Sequence, residues 1–166
     1  MQNPGTDQVM TEESERALLD RAAAGDVQAQ HALAVSYATG EFGEVELEKA
    51  RAWYGRAARA GDDVAAFNFG VMILNGEGGE ADREAGFLWL NQAAALGATD
   101  AMILLADFAD DDTAAGLQQS CGLRAKALQC HDLRGARDFI LALQATSDER
   151  RRAVMVEAFL NELGMS

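Results

Sequence analysis

Small and apolar residues recur along this chain at a spacing of 36 positions. Ala29, Ala65 and Ala101 share one column, Leu33, Phe69 and Leu105 a second, and Ala34, Gly70 and Ala106 a third. The first two columns lie four residues apart, one helical turn, so each such segment predicts a helix with its core-facing side marked. Gly40 and Gly76 follow, where a left-handed cap ends a helix. Gly43 and Gly79 fit the turns of a tight loop. Trp53 and Trp89 then sit in a second helix, with Ala57, Ala58, Ala93 and Ala94 one turn further on. Gly25, Gly61 and Gly97 close the units. The pattern therefore predicts a helix, a Gly-rich loop, a second helix and a stop, repeated. No stretch alternates with the two-residue period of a strand.

The pattern weakens at both ends. Before Gly25, TEESERALLDRAAAG reads as the second helix of a degenerate unit, with Thr11 or Ser14 as its N-cap. After residue 109 the register survives only with a two-residue deletion. Leu123 then takes the tryptophan column, His131 replaces the closing glycine, and Phe139 falls in the core column. Thr146 and Glu149 have capping-box spacing at the start of a last helix running to about Leu163. In that helix Val154, Met155, Val156, Phe159, Leu160 and Leu163 cover more than one narrow stripe. Either it folds back deeply or part of it meets a second copy or a partner, so a homodimer through the C-terminal helix is one expectation.

The segments GDVQAQHALAVSYATGEFGEVELEKARAWYGRAARA and GDDVAAFNFGVMILNGEGGEADREAGFLWLNQAAAL align without a gap. Ala65, Phe67, Asn68, Phe69, Gly70, Gly76, Gly78, Glu84, Trp89, Ala93, Ala94 and Gly97 give this stretch its likeness to the Sel1-like repeat family, a relative of the tetratricopeptide repeat. The match is specific over residues 25–109. The resemblance implies an all-α fold, a right-handed α-solenoid of helix-turn-helix repeats with about nine helices. The expected organisation is a flexible N-terminus at 1–10 and a single repeat domain at 11–166. Within it lie a capping helix (11–24), repeat 1 (25–60), repeat 2 (61–96), a divergent repeat 3 (97–130) and C-terminal capping helices (131–166). The resemblance also implies a protein-binding adaptor or scaffold.

Charge narrows the partner. The formal net charge is -13. Residues 1–112 carry 21 acids and 7 bases, whereas residues 113–166 carry 6 acids and 7 bases. Such a surface repels phosphate backbones and anionic membranes, which argues against both as partners. It either steers a basic or mixed basic/apolar protein or peptide toward the chain, or is a solvated face that maintains solubility. The polar, acidic first 15 residues lack the charged and apolar regions of a signal peptide. With only Cys121 and Cys130 in the chain, this points to a reduced, cytoplasmic setting.

Candidate chemistry is sparse. Cys130 and His131 are neighbours, and neighbours on a helix point in different directions, so a zinc site is not expected there. Asp107 with Asp110, Asp111 and Asp112 is the best metal candidate. It lacks the glycine and distal glutamate of a calcium loop and reads better as a solvated acidic loop, one that could pair with Arg150, Arg151 and Arg152. Ser36, Ser120 and Ser147 have no nucleophile motif around them, and the glycines of GEFGE and GEGGE lack the Lys-Ser/Thr of a phosphate loop. The expectation is a non-enzyme with no cofactor and no metal.

In paired-helix solenoids the first helix of each pair lines the concave face. Leu33, Ala34 and Tyr37 should turn toward the paired helix, leaving the other side for a partner. The candidate binding residues are therefore Gln28, His31, Ala32 and Val35 in the first unit, Val64, Phe67, Asn68 and Val71 in the second, and Asp100, Ile103, Leu104 and Asp107 in the third. This groove would be apolar in the middle and acidic toward the third unit. The resemblance implies that Asn68 bonds a ligand backbone; the alternative is that it ties adjacent units together. Phe67 and Ile103 either line the groove or pack between helices. A second functional reading is a dedicated inhibitor (immunity protein) or chaperone of a secreted toxin or effector.

Overall fold

The structure is a computed structural model that describes residues 4–109 and 113–165, with side chains from residue 14 onward except at 114. Among the described residues there are nine helices and no strand: α1 (Pro4–Ala23), α2 (Val27–Thr39), α3 (Leu47–Arg59), α4 (Asp63–Asn75), α5 (Arg83–Leu96), α6 (Thr99–Ala109), α7 (Ala114–Gln129), α8 (Leu133–Ala145) and α9 (Glu149–Glu162). None of them is long and apolar enough to cross a membrane. The chain divides into two compact units, Met1–Leu96 and Gly97–Ser166.

In the first unit the sequence columns become the core. Ala29, Leu33, Ala34, Ala50, Ala57, Ala65 and Leu90 are buried, with Phe69, Met72 and Ile73 beside them. Gly70 and Gly86 bring the α4 and α5 backbones together: a Cβ on Gly70 would lie 3.1 Å from the Leu90 nitrogen, and one on Gly86 3.1 Å from the Gly70 oxygen. Between repeats, the Phe69 ring presses on α3, where a Cβ on Gly55 would approach it to 2.9 Å.

Backbone hydrogen bonds repeat with the same 36-residue period. Glu46 donates to the Tyr37 carbonyl and Asp82 to the Ile73 carbonyl (2.8 and 3.0 Å), returning each loop to its first helix. Asp26 donates to Arg21 and Asp62 to Ala57, both at 3.1 Å. Asp132 donates to Ala127, again at 3.1 Å, an offset of 70 residues from the Asp62 bond and so two short of two full repeats. The two-residue deletion expected in the third unit is thus visible in the backbone. His131, in the closing-glycine column, takes φ 65°, a region L-residues rarely occupy.

The second unit packs Leu117, Cys121 and Ala125 of α7 against Phe139 of α8 and Met155 and Phe159 of α9. The Phe139 and Phe159 rings stack nearly parallel with centroids 3.9 Å apart. Val154 and Leu163 pack against this cluster, so most of the broad apolar face of α9 is core.

Three expectations change. α1 begins at Pro4, so Thr11 and Ser14 lie inside the helix rather than capping it; proline suits a first turn, whose N–H has no partner anyway. α9 is capped by Asp148, whose carboxylate accepts from the Arg150 and Arg151 amides (2.8 and 3.2 Å). Thr146 instead donates its hydroxyl to the Ala142 carbonyl at the end of α8 (2.9 Å). A carboxylate there also offsets the arginines at a positive helix end. The third concerns the loop glycines: Gly78, at φ 67°, is more constrained than Gly79, because a Cβ on it would sit 2.2 Å from the Leu47 oxygen at the start of α3.

These turns set the expected stabilities of three variants. Gly78→Ala should cost about 2–5 kcal/mol, combining left-handed strain with overpacking. Gly61→Ala, where nothing lies within 4 Å of the added Cβ, should cost only about 1–2 kcal/mol. Conversely, His131→Gly should stabilise the chain by up to about 1 kcal/mol by relieving the left-handed strain. Urea denaturation of the three variants beside wild type measures all of these; a similar cost at Gly78 and Gly61 would contradict the Leu47 contact.

Candidate partner-binding surface

The candidate residues fall on the side of their helices away from the core columns. On α2, Gln28 is exposed and His31, Ala32 and Val35 are half-buried; on α4, Val64 is exposed and Phe67, Asn68 and Val71 are half-buried. On α6, Asp100 and Asp107 are exposed and Ile103 and Leu104 half-buried. Leu33, Ala34 and Tyr37 turn inward as the periodicity requires.

Several of these residues already have partners. His31 Nδ1 lies 2.9 Å from Asp62 Oδ2, and the ring meets Tyr54 edge-on at 6.0 Å. Asp62 Oδ1 accepts from the Ala65 amide at 2.7 Å, so one carboxylate both caps α4 and holds the imidazole of α2. Burial, then the Asp62 charge, pushes the Tyr54 phenol up from its ordinary pKa. Tyr37 donates to Glu15 Oε1 at 2.5 Å, tying α2 to α1; burial and then this carboxylate keep the phenol protonated. Asn68 differs: among the described residues no hydrogen bond engages its side-chain amide, so it does not tie adjacent units together by one.

The acidic end of the expected groove is neutralised within the chain. Asp100 forms an ion pair with Arg134 at 2.7 Å, and Asp107 pairs with the nearly buried Arg124 at 3.1 Å. Arg124 also donates to the Ser120 hydroxyl. Asp107 therefore pairs with an α7 arginine instead of Arg150, Arg151 or Arg152, because α7 packs directly on α6. Asp110, Asp111 and Asp112 lie outside the described residues. Among the described residues no group of three or more His, Cys, Asp or Glu side chains comes together as a metal would need. Cys121 is buried and Cys130 exposed.

Two surfaces escaped the sequence reading. One is α8, which exposes Leu133, Ile140 and Leu141, whereas the apolar pattern of the sequence is broadest on α9. The other is formed by α3 and α5, where two α3 arginines lie near the rings of Trp53 and Trp89. Arg56 lies 4.3 Å from the Trp53 ring centroid, and Arg59 lies 5.8 and 5.9 Å from those of Phe69 and Trp89. The signal available was the Trp53–Arg56 spacing, three residues and so one helical turn.

Asp132 caps α8 by accepting from the Arg134 amide (2.9 Å) and is bracketed by that residue's guanidinium. This guanidinium first, then the Arg134 amide and the Thr99 hydroxyl, holds the carboxyl well below the usual range. A depressed folded-state pKa gives stability that is complete above the unfolded value and is lost as pH falls toward the folded one. Asp132→Ala should therefore destabilise by a roughly constant amount above about pH 5, with the difference from wild type shrinking on further acidification. Denaturation curves of the pair across pH test this; a gap that widens with acid would contradict it.

Comparison with known proteins agrees with this geometry. The Sel1 repeat family matches twice, at residues 27–62 and 63–97. A Sel1 repeat protein from Oxalobacter formigenes superposes with a TM-score of 0.67 at 17% identity, over 96% of this chain and 71% of that one. A protective antigen present in uropathogenic Escherichia coli, displaying an SLR fold, superposes with a TM-score of 0.70 at 22% identity. That alignment covers 95% of this chain but 34% of the antigen, so this chain corresponds to about a third of it. Among curated proteins none matches the sequence. All-helical pairs and a 36-residue period carried into the backbone hydrogen bonds coincide with both family matches, so the chain carries two Sel1 repeats, at residues 27–62 and 63–97.

Proposed function

We propose that this chain is an adaptor or scaffold that holds a protein or peptide partner on the outward side of its first helices. Sel1 repeats in general mediate protein–protein interaction. The single observation that favours this side is Asn68. Its half-buried amide has no protein partner among the described residues and sits on the same side of α4 as Val64, Phe67 and Val71. An amide both donates and accepts, which suits it to the backbone of an extended or helical segment. The apolar neighbours supply area; the amide supplies register. His31 contributes as a wall fixed by Asp62, with its polarity already satisfied. On α6, in the second unit, Asp100 and Asp107 are paired to arginines, so the outward side of that helix is less acidic than the net charge suggests.

Asn68→Arg should lower affinity for the native partner by about 100-fold or more, since a long cation replaces a bonding amide, while the melting temperature stays near that of wild type. The experiment is an affinity capture from the native host, with the recovered partner re-measured against both purified forms by calorimetry. Equal affinity for the two forms would move the site off the first helices.

A further inference from the structure

The first unit carries an unused cationic surface on its second helices. Between Arg21 and Arg83 the chain has four basic residues, Lys49, Arg51, Arg56 and Arg59, and all lie on α3. Two are consumed locally. Lys49 pairs with Glu46 at 2.8 Å, and Arg51 clamps the next loop through the carbonyls of Glu77 and Glu80. Arg56 and Arg59 have no carboxylate partner among the described residues. In a chain with 27 acids against 14 bases, charges without counter-ions should be negative ones. Both guanidiniums instead lie over aromatic rings, Arg56 at 4.3 Å from the Trp53 centroid and Arg59 near Phe69 and Trp89, with Arg59 further fixed by the Gly55 carbonyl at 2.9 Å. A cation–π contact uses the charge of a guanidinium and not all of its N–H groups, so those that remain can meet a carboxylate.

Beside them is a cavity lined by Ala58, Arg59, Leu88, Trp89 and Gln92. Leu88 is 70% exposed there, an apolar side chain with little covering it. Asp82 and Glu84, lining the adjoining cavity beyond Leu88, bound the surface on that side. From this charge complementarity we infer that the α3–α5 face is a second docking surface, for an acidic segment of a protein partner that carries an apolar anchor. The carboxylates engage Arg56 and Arg59, and the anchor sits on Trp89 and Leu88. Tryptophan and arginine around an exposed aliphatic group are the composition of binding hot spots. This surface has the opposite charge preference to the rest of the unit and is independent of the Asn68 side.

The chain has two tryptophans, Trp53 and Trp89, and both lie here, so intrinsic fluorescence reads this surface alone. The probe is an unlabelled peptide with a central Leu-Phe pair flanked by glutamates, titrated beside a lysine-flanked counterpart and an oligothymidine strand. The acidic peptide should shift tryptophan emission saturably and bind more weakly as salt rises. Arg56→Glu and Leu88→Asp, both at exposed positions and checked for fold by circular dichroism melting, should each weaken it by about tenfold or more. Asn68→Arg should leave it unchanged. The proposal is overturned if the acidic peptide leaves the emission unmoved, if both surface variants bind it as wild type does, if the lysine peptide or the oligonucleotide is preferred, or if Asn68→Arg removes it.

Discussion

Gly70 and Gly86 meet across α4 and α5 so closely that neither can carry a Cβ without moving the other's backbone. The equivalent positions in the preceding pair are Ala34 and Ala50, and in the following one Ala106 and Ser120; all four are essentially inaccessible. Small residues at these crossings let paired helices approach to near-backbone contact, and interiors packed at that density tolerate little added volume. A similar constraint acts between α7 and α8, where a Cβ on Gly135 would lie 2.4 Å from the Arg124 oxygen. Gly135 occupies the column of Ala29, Ala65 and Ala101. Fixing these crossings also fixes the rotation of each helix about its axis, and hence which residues face out.

The charged residues follow from that rotation. Asp62 caps α4 and so lies where the imidazole of α2 reaches it. Asp132 caps α8 and holds Arg134, which in turn reaches Asp100 on α6. Asp26 caps α2 and takes Arg21 from α1 at 2.6 Å. In each case a carboxylate favoured by the positive end of a helix also binds a side chain, from the preceding helices for Asp62 and Asp26 and from its own first turn for Asp132. Ser120, the small residue of the third crossing, accepts from Arg124, and the same guanidinium then neutralises Asp107.

The fold was largely legible in the sequence because its cause is periodic. Leu33, Phe69, Leu105 and Phe139 were readable as one column, and all four are buried. His131 was readable as the replacement for the closing glycine, and it takes the left-handed conformation there. What escaped has non-periodic causes. The demand on Gly78 comes from the Leu47 carbonyl, 31 positions earlier, and the first repeat has Phe42 at that place. Thr146 and Asp148 both had capping chemistry, and the choice between them depended on where α8 ended. The sites of Asp100 and Asp107 were readable as outward, but their neutralisation was not, since Arg134 and Arg124 reach them only once α7 and α8 are in place. Composition gave the sign of the total charge and hid the α3 arginines, whose significance lies in what they lack.

Fold and recognition are separable in this architecture. Pair geometry depends on the columns at Ala29, Leu33 and Ala34 and their equivalents as far as Ala106, all of them buried. Gln28, Ala32 and Val35, with Val64, Asn68 and Val71, occupy the same helices at offsets that leave the crossings untouched. Arg56 and Leu88 stand in the same relation to the crossing residues Ala50 and Gly86 on the second helices. Substitutions at such outward positions cost little stability, generally within about 0.5 kcal/mol, because they neither open a cavity nor strain a turn. The outward surface can therefore change at fixed fold. His31 is the exception among the outward residues, since it shares the Asp62 carboxylate with the α4 cap, so altering it disturbs a helix end as well as a surface.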